Sequence, residues 1–448
     1  MADALFAMAT PMEEHLVMQN APLHHVVIIG GGFGGLHAAQ ALRHAPVRVT
    51  LIDKRNFHLF QPLLYQVATG GLSPADIAHP LRSVFARDRY VSVMMAEVSD
   101  IDVTQHCVIL RDGSLTYDTL VIATGASHQY FGHDDWAPQA PGLKTIEDAL
   151  AIRRRIFLAF EAAERVADPM QRQALMTFVI VGGGPTGVEL AGTLGELSHT
   201  TLKDHFRAID PTQVKIVLLE GQPRVLATFP EDLSAKAEEA LGRLGVSVRT
   251  STIVTEIDHG TVTFRHGEAT NSIQAHTVLW TAGVKASALG AILAKHTGAE
   301  IDRVGRVTVE PDLSLPGHPE MFVIGDLAAF KHQDGKPLPG LAAVAIQQGR
   351  YVGEAIGQRL QGKTPPHFRY VNKGSLAIIG RNAGVADLGR LHLAGFPAWL
   401  LWLFVHILFL VGFDNKLLVL FQWAWNYLTR KRGAQLITGD DPFPLVDA

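Results

Sequence analysis

Two stretches of this chain carry the residue types and spacing that hold a diphosphate. In the first, the apolar run His25-Val-Val-Ile-Ile ends in Gly30-x-Gly32-x-x-Gly35, with Phe33 and Gly34 inside the turn, and Leu36, Ala39 and Leu42 continue at helical spacing. The first glycine permits a tight turn and the second lets a pyrophosphate approach the backbone. The third lets helix and strand pack closely, with the phosphate charge at the helix N-terminus. Residues 47–52 then form an apolar strand closing on Asp53, followed by Lys54, where a carboxylate can bond ribose hydroxyls. A lone glycine turn is a weak signal. Here the pattern recurs: Phe178-Val-Ile-Val leads into Gly182-x-Gly184-x-x-Gly187, with Thr186 in the turn, and residues 214–219 close on Glu220. The acid follows the third glycine by 18 positions in the first copy and 33 in the second, against roughly 20 expected. Residues 194–211 are therefore expected to be an extended helix or an insertion. Glu189 falls in the first turn of the second helix. A carboxylate is favourably placed there, but a pyrophosphate should occupy the same end, so a position facing the contact between the two bound nucleotides stays equally open.

The elements that must position these turns repeat as well. Leu120-Val-Ile-Ala-Thr124-Gly125 and Val278-Leu-Trp-Thr-Ala-Gly283 stand at matching places in the two halves, each after an alternating strand meander. The first resembles the second fingerprint of FAD-binding Rossmann domains. Met321-Phe-Val-Ile-Gly325-Asp326 resembles the third, whose aspartate bonds the ribityl or pyrophosphate region. The expected fold class is α/β, a two-dinucleotide flavoprotein with two Rossmann-type domains, the NAD domain inserted in the FAD domain, followed by C-terminal amphipathic membrane-anchoring helices. The expected division is a flexible tail over 1–24, an FAD-binding domain over 25–130 and 300–390, an NADH-binding domain over 140–299, and a C-terminal anchoring region over 391–448. Ser73-Pro74 reads as the start of a helix with Ile77, Leu81, Val84 and Phe85 on its apolar side. Residues 126–145 read as a crossing linker.

Composition excludes several chemistries. The 448 residues carry a formal charge of -4, which gives no electrostatic reason to expect nucleic acid. Cys107 is the single cysteine, so paired-thiol redox chemistry and cysteine metal clusters are closed, and no metal site is expected. Its Cys-Val-Ile-Leu setting suits a small buried apolar residue. Residues 1–24 contain no Lys or Arg, unlike a secretory or organelle-targeting segment.

One domain holding FAD and another holding a nicotinamide cofactor imply hydride transfer, with the protein supplying position and electrostatics. Glu220 favours NADH over NADPH, because a carboxylate bonds the 2′ and 3′ hydroxyls and repels a 2′-phosphate; Arg224 nearby leaves NADPH open. The electron acceptor is suggested by the far end of the chain. From Ala398 the sequence is almost wholly apolar through residue 413, and it resumes as Leu417-Leu-Val-Leu-Phe-Gln-Trp-Ala-Trp-Asn-Tyr427, with tryptophans at 399, 402, 423 and 425 beside Arg430-Lys-Arg432. Aromatic and basic enrichment of this kind suits a membrane interface. A transmembrane span and a buried core or dimer contact are the competing readings. Crossing once would export the basic cluster against the positive-inside bias.

The chain resembles the type II NADH:quinone oxidoreductases, single-subunit respiratory dehydrogenases that pump no protons. The resemblance rests on Phe60-Gln61-Pro-Leu-Leu-Tyr-Gln-Val-Ala68, Gly184-Pro-Thr-Gly-Val-Glu189, Gly325-Asp326, Ala345-Ile-Gln-Gln-Gly349, Lys373-Gly374, Ile379-Gly-Arg381, Ala398-Trp-Leu-Leu-Trp402 and Val405-His-Ile407, from about residue 25 to 432. It implies non-covalent FAD, with Gln61 and Gln348 beside it, NADH as donor and a membrane quinone as acceptor. It also implies that Gln347, Gln348 and Lys373 lie at the quinone site; with Glu189, read from its place in the second helix, they are the candidate catalytic residues. The implied location is the cytoplasmic face of a bacterial inner membrane, held peripherally by the C-terminal helices, with a possible homodimer. Amide N–H groups suit quinone carbonyls, and a lysine in a low-dielectric site can stabilise negative charge on reduced quinone or flavin; a helix N-terminal turn near FAD for Gln347 and Gln348, and a surface ion pair for Lys373, stay open beside these roles. For Tyr65 and Gln66, lining the flavin pocket and filling the loop both stay open. His406 reads as a core histidine or headgroup contact. Asn372 departs from the family, which often carries an acid before Lys-Gly. The competing functions are a soluble NADH-dependent reductase of a ferredoxin-type carrier and a membrane-bound flavin redox sensor.

Overall fold

The computed structural model describes residues 23–430 and 432–438. Most of the expected tail, Lys431 of the basic cluster and residues 439–448 of the expected anchoring region lie outside the described residues. The chain forms two compact units. One comprises the chain up to Asn56 with Phe85–Gly125 and Ala288–Tyr370; the other comprises Phe57–Val84, Ala126–Ser287 and the chain from Val371.

In the first unit, the strand His24–Ile29, whose last four residues are apolar and buried, pairs in parallel with both Val47–Asp53 and Thr119–Ile122. Such continuous apolar runs are what a parallel sheet covered on both faces requires. Val91–Met95 extends one side, and His318–Val323 with Ser314–Leu315 the other, making six strands. The last two come from the late segment expected to return to this domain. Helix Phe33–Leu42 follows the first strand, and helix Ala342–Leu360 crosses it so closely that a Cβ on Gly349 would lie 2.2 Å from the Gly34 carbonyl oxygen. The meander contains Cys107–Leu110 paired antiparallel with Ser114–Thr116 across Arg111-Asp-Gly113, and Cys107 is buried.

The second unit repeats the plan. Thr177–Val181 lies between Lys215–Leu219 and Thr277–Trp280, with Val246–Arg249 beyond, all in parallel. The antiparallel strands Thr252–Asp258, Thr261–His266 and Ala269–Gln274 follow. The extra length before Glu220 is a π-helical continuation, Leu197–Thr201, of helix Pro185–Glu196, then a loop and a short turn at Pro211–Gln213. The expected linker is partly structured: Ala126–His128 pairs with Val284–Ala286, and Tyr130 and Trp136 join the buried cluster around Trp280.

A single helix from residue 74 to 85 is not formed. Pro74–Ile77 makes one turn, Ala78–Pro80 pairs antiparallel with Phe57–Leu59, and Leu81–Val84 makes a second turn. Pro80 lacks an amide hydrogen and biases His79 to an extended backbone, which favours the ladder over the helix.

The remainder of this unit is a three-stranded antiparallel sheet, Ser375–Gly380, Ala383–Asp387 and His392–Gly395, followed by helices Phe396–Phe409 and Phe413–Thr429. The first helix has 14 residues, about 21 Å at 1.5 Å per residue, short of a hydrocarbon core of about 30 Å. Among the described residues no helix is long and apolar enough to cross a membrane. Phe396, Leu400, Phe404 and Leu408 are exposed at four-residue intervals, and Leu417, Phe421, Trp425 and Leu428 continue an apolar face on the second helix. The opposite sides hold the pair in place. Trp402 is buried, and Asn415 Nδ2 lies 3.3 Å from the carbonyl oxygens of Ala75, Asp76 and Ala78.

Helix Pro185–Glu196 rests on strand Ser375–Gly380 through a close approach at Gly192, where a Cβ would stand 1.7 Å from the Ile379 carbonyl oxygen. Gly192→Ala should therefore lower stability by about 1–3 kcal/mol or more, because backbone cannot yield as a side chain can. The control Gly242→Ala, at a helical site with nothing within 4 Å, should be neutral or slightly stabilising. Denaturant midpoints of the two variants provide the check, and equal behaviour would contradict the close approach.

Candidate dinucleotide sites and a buried acid

Both glycine turns are closed by the same device. Gly30 has φ +103° and Gly182 φ +107°, a region that favours glycine. A Cβ on Gly35 would lie 1.8 Å from the Gly30 carbonyl oxygen, and one on Gly187 would lie 1.8 Å from that of Gly182. Asp53, at the end of its strand, accepts from the Gly31 amide at 2.6 Å and the Arg55 amide at 2.7 Å. Glu220 accepts from the Gly183 amide and, at 2.7 Å, from the Gln222 amide. The 33-residue interval has not displaced the acid, because sheet register places Leu219 beside Val181 and hence Glu220 beside the turn. Burial raises the Asp53 carboxyl above its usual range, against the pull of the Arg55 and Gly31 amides.

The residues of the first unit suit a dinucleotide such as FAD. Open space lies where Gly32 and Gly125 would carry a side chain, and the Thr124 hydroxyl oxygen is buried without a protein partner. Asp326 is half-buried in the turn Gly325–Leu327. The Gly325 amide donates to Gln348 Oε1 at 2.7 Å, and Gln348 is 1 % exposed. One unit thus joins Gly30, Gly32, Phe33, Gly34, Gly35, Asp53, Lys54, Thr124, Gly125, Asp326, Gln347 and Gln348. Gln61 belongs to the other unit, where its amide lies 3.4 Å from the Lys144 carbonyl oxygen.

The second unit holds Gly182, Gly184, Thr186, Gly187, Glu189, Glu220 and Gly283. Arg224 is committed to the carbonyls of Phe229 at 2.6 Å and Ala227 at 2.9 Å. Lys373 is exposed, next to Gly374, whose amide donates to Asn372 Oδ1 at 2.9 Å. Asn372 therefore serves the turn itself.

Glu189 lies just past the first helical turn rather than in it, and it is buried. Desolvation raises its carboxyl from 4.5 to about 8, while the Ile378 amide, 3.4 Å away, pulls weakly the other way. The Trp402 indole N–H is also near, outside standard hydrogen-bond geometry. Tyr65 stands beside it, its hydroxyl raised by burial and then by the Glu189 charge. Gln66 Nε2 donates to Tyr65 Oη at 3.0 Å, and Trp423 Nε1 donates to Gln66 Oε1 at 2.8 Å. Tyr65 and Gln66 are thus built into a hydrogen-bonded chain beside the acid. His406 is a core histidine: it stacks on Trp402 at 4.0 Å, its Nδ1 lies 2.7 Å from the Trp402 carbonyl oxygen, and burial lowers it to about 4. The neighbours of Glu189 carried no local sequence signal, because residues 65, 378 and 402 meet it only through the fold.

An acid with a folded pKa above its unfolded value stabilises the fold fully only below the unfolded pKa, and that contribution vanishes as pH rises through the folded one. Between pH 4.5 and about 8, Glu189 should therefore cost the native protein about 1 kcal/mol or more. Glu189→Gln should gain stability over the native protein on going from pH 5 to 8.5. A stability difference that stayed constant across denaturant titrations at the two pH values would mean that the buried carboxyl is not held neutral.

The comparisons with known proteins agree with this geometry. The family model described as "Pyridine nucleotide-disulphide oxidoreductase" matches residues 24–349, and "NDH2 C-terminal domain" matches residues 372–432. Two curated proteins of Mycobacterium tuberculosis are similar along most of their length. The type II NADH:quinone oxidoreductase Ndh is 44 % identical over 94 % of this chain and 91 % of its own, and NdhA is 45 % identical over 93 % and 89 %. Among solved structures, NDH2 from Plasmodium falciparum in complex with NADH has a TM-score of 0.84 at 20 % identity, covering 93 % of this chain and all of that one, which speaks to the fold. The disulphide chemistry in the broader family's description has no counterpart here, where Cys107 is the lone thiol. At 44–45 % identity over more than nine-tenths of its length, and with the C-terminal family model matched, the chain belongs to the type II NADH:quinone oxidoreductases.

Proposed function

We propose that the protein passes electrons from NADH to a membrane quinone without pumping protons, docked peripherally on the cytoplasmic face of an inner membrane. The observation that carries this reading is the duplicated turn, each closed by its own carboxylate, in a chain whose C-terminal helices present a continuous apolar face. We assign residues 25–130 and 300–390 to FAD binding, 140–299 to NADH binding and 391–448 to membrane attachment. When bound, FAD supplies the redox chemistry that links hydride donor to quinone.

The chain's own residues bind and orient. Gly30 to Gly35 and the following helix N-terminus receive the FAD diphosphate, while Asp53 offers its remaining lone pairs to ribose hydroxyls. Lys54, Gln61, Thr124, Gly125 and Asp326 complete that site, and Gln348 serves it by holding the Gly325 amide. Gly182, Gly184, Thr186, Gly187 and Gly283 cradle NADH. Glu220 selects it over NADPH, and Arg224, occupied by backbone carbonyls, is not poised for a 2′-phosphate. Gln347 presents amide N–H groups to a quinone carbonyl, and Lys373 offsets negative charge that develops on reduction. Glu189 is held as a neutral acid near pH 7, able to give a proton where a carboxylate could not. The cytoplasmic face follows from the location of NADH. A carrier-protein reductase would have no use for the exposed stripe Leu400, Phe404, Leu408, and a redox sensor would not need a quinone.

Stopped-flow absorbance tests the reading: NADH should bleach the flavin band, and a short-chain quinone should restore it within the turnover time. Loss of the second phase would overturn the quinone assignment. Glu220→Gln should raise KM for NADH about tenfold or more, the equivalent of one charged hydrogen bond, and leave NADPH no worse. Steady-state kinetics with both donors decide this, and an unchanged preference would contradict the role of Glu220.

A further inference from the structure

Within the second unit, the C-terminal helices enclose one side of a cavity of about 560 Å³, a volume typical of small-ligand sites. Trp399, Trp402, Trp423 and Tyr427 give it an aromatic wall, and Arg381, Arg430 and Arg432 contribute positive charge. The three arginines are not equivalent. Arg432 Nη1 donates to the Thr69 carbonyl at 3.2 Å, and its Nη2 lies 3.4 Å from Glu196 Oε2, so its charge is compensated. Arg381 lies over the Tyr427 ring, 3.8 Å from the centroid, and Arg430 closes the last helix with φ +59°. Among the described residues, neither Arg381 nor Arg430 is paired with a carboxylate. Among the described residues the cavity therefore holds two guanidinium groups without a carboxylate partner, that of Arg381 resting on Tyr427. Both helices that line it also expose apolar side chains, Leu400 and Phe404 on the first and Phe421 and Trp425 on the second. The complementary ligand is an amphiphile with an anionic head and apolar chains.

We propose that this cavity receives the phosphate headgroup of an anionic phospholipid, with its acyl chains lying against the exposed apolar face of the two helices. The proposal rests on the membrane-docking reading given above. A guanidinium donates two parallel N–H groups to phosphate oxygens, and an aromatic wall suits the headgroup level of a bilayer. A neutral quinone ring gains little from two guanidinium groups, whereas a phosphate can bond both.

The test uses the full-length, FAD-loaded protein. Co-flotation is measured with vesicles of phosphatidylcholine alone or mixed with phosphatidylglycerol, and lipid retained after detergent exchange is counted by native mass spectrometry. The expected result is a phosphatidylglycerol molecule retained per chain and vesicle binding about tenfold or more tighter with the anionic lipid. Arg381→Gln with Arg430→Gln should lose both effects, while the paired lysine variants keep most of the charge-dependent binding. NADH:ferricyanide activity and flavin content should be native in all of them, which reports on folding independently. Equal binding to both vesicle types with no retained phosphatidylglycerol would overturn the proposal and leave membrane docking intact. Failure to bind any vesicle would remove the docking reading and the proposal together. Displacement of the retained lipid by an equimolar short-chain quinone would make the cavity a quinone site and overturn the proposal.

Discussion

The structure depends most on one interaction used twice, a strand-end carboxylate that captures the amide of the residue after the first glycine. Asp53 does this for Gly31 and Glu220 for Gly183. Each bond is charge-assisted and therefore stronger than a neutral amide contact. It fixes the loop that leaves one strand to the end of the neighbouring strand, so the helix behind it starts in a defined place. We assign the same carboxylates to the adenosine hydroxyls, so that one group serves both the turn and the ribose. Sheet register does the placing, which is why a long excursion through Leu197–Thr201 and the loop beyond it leaves Glu220 in the position Asp53 holds.

Much of this was legible because it is local. Apolar runs of strand length, glycines at fixed offsets and an acid after the second strand all lie within a few dozen residues, and the paired turns follow from them. The late return of Met321 to Asp326 to the first sheet was also readable, since a short buried strand ending in Gly-Asp has few other homes. The helix expected over residues 74–85 misled because apolar spacing outweighed Pro80. The strand at Ala78–Pro80 exists only because Phe57–Leu59 offers it a ladder. Glu189 was recognised as odd at a helix start receiving phosphate, but its environment could not be read, since burial is supplied by residues nearly two hundred positions away.

Gln348 shows how a sequence motif can hide a division of labour. Gln347 and Gln348 look interchangeable in Ala345-Ile-Gln-Gln-Gly349, yet on one helix adjacent residues point about 100° apart. Gln348 turns inward and takes the Gly325 amide, while Gln347 is half-buried. Gly349 follows at the crossing with helix Phe33–Leu42, where space for a side chain is lacking. The motif therefore joins the first glycine turn to the turn at Gly325.

The C-terminal helices are part of the catalytic unit's interior as well as its outer face. Trp402 stacks on His406, which meets Phe60 edge-on at 6.1 Å, and Trp423 reaches Gln66, which holds the Tyr65 hydroxyl beside Glu189. Desolvation is the first cause of the Glu189 shift, and the buried Trp402 stands near the carboxyl on the inner face of the first helix, its indole N–H pulling weakly the other way. Loss of the helix pair would admit water to this layer and return the carboxyl toward the ordinary range, where it is ionised at pH 7. The same two helices thus set the protonation state of a buried acid on one side and present Phe404 and Phe421 outward on the other. The outer apolar face and the setting of Glu189 are joined through a layer of aromatic side chains, so a disturbance that separates the helices from strand Ser375–Gly380 reaches both.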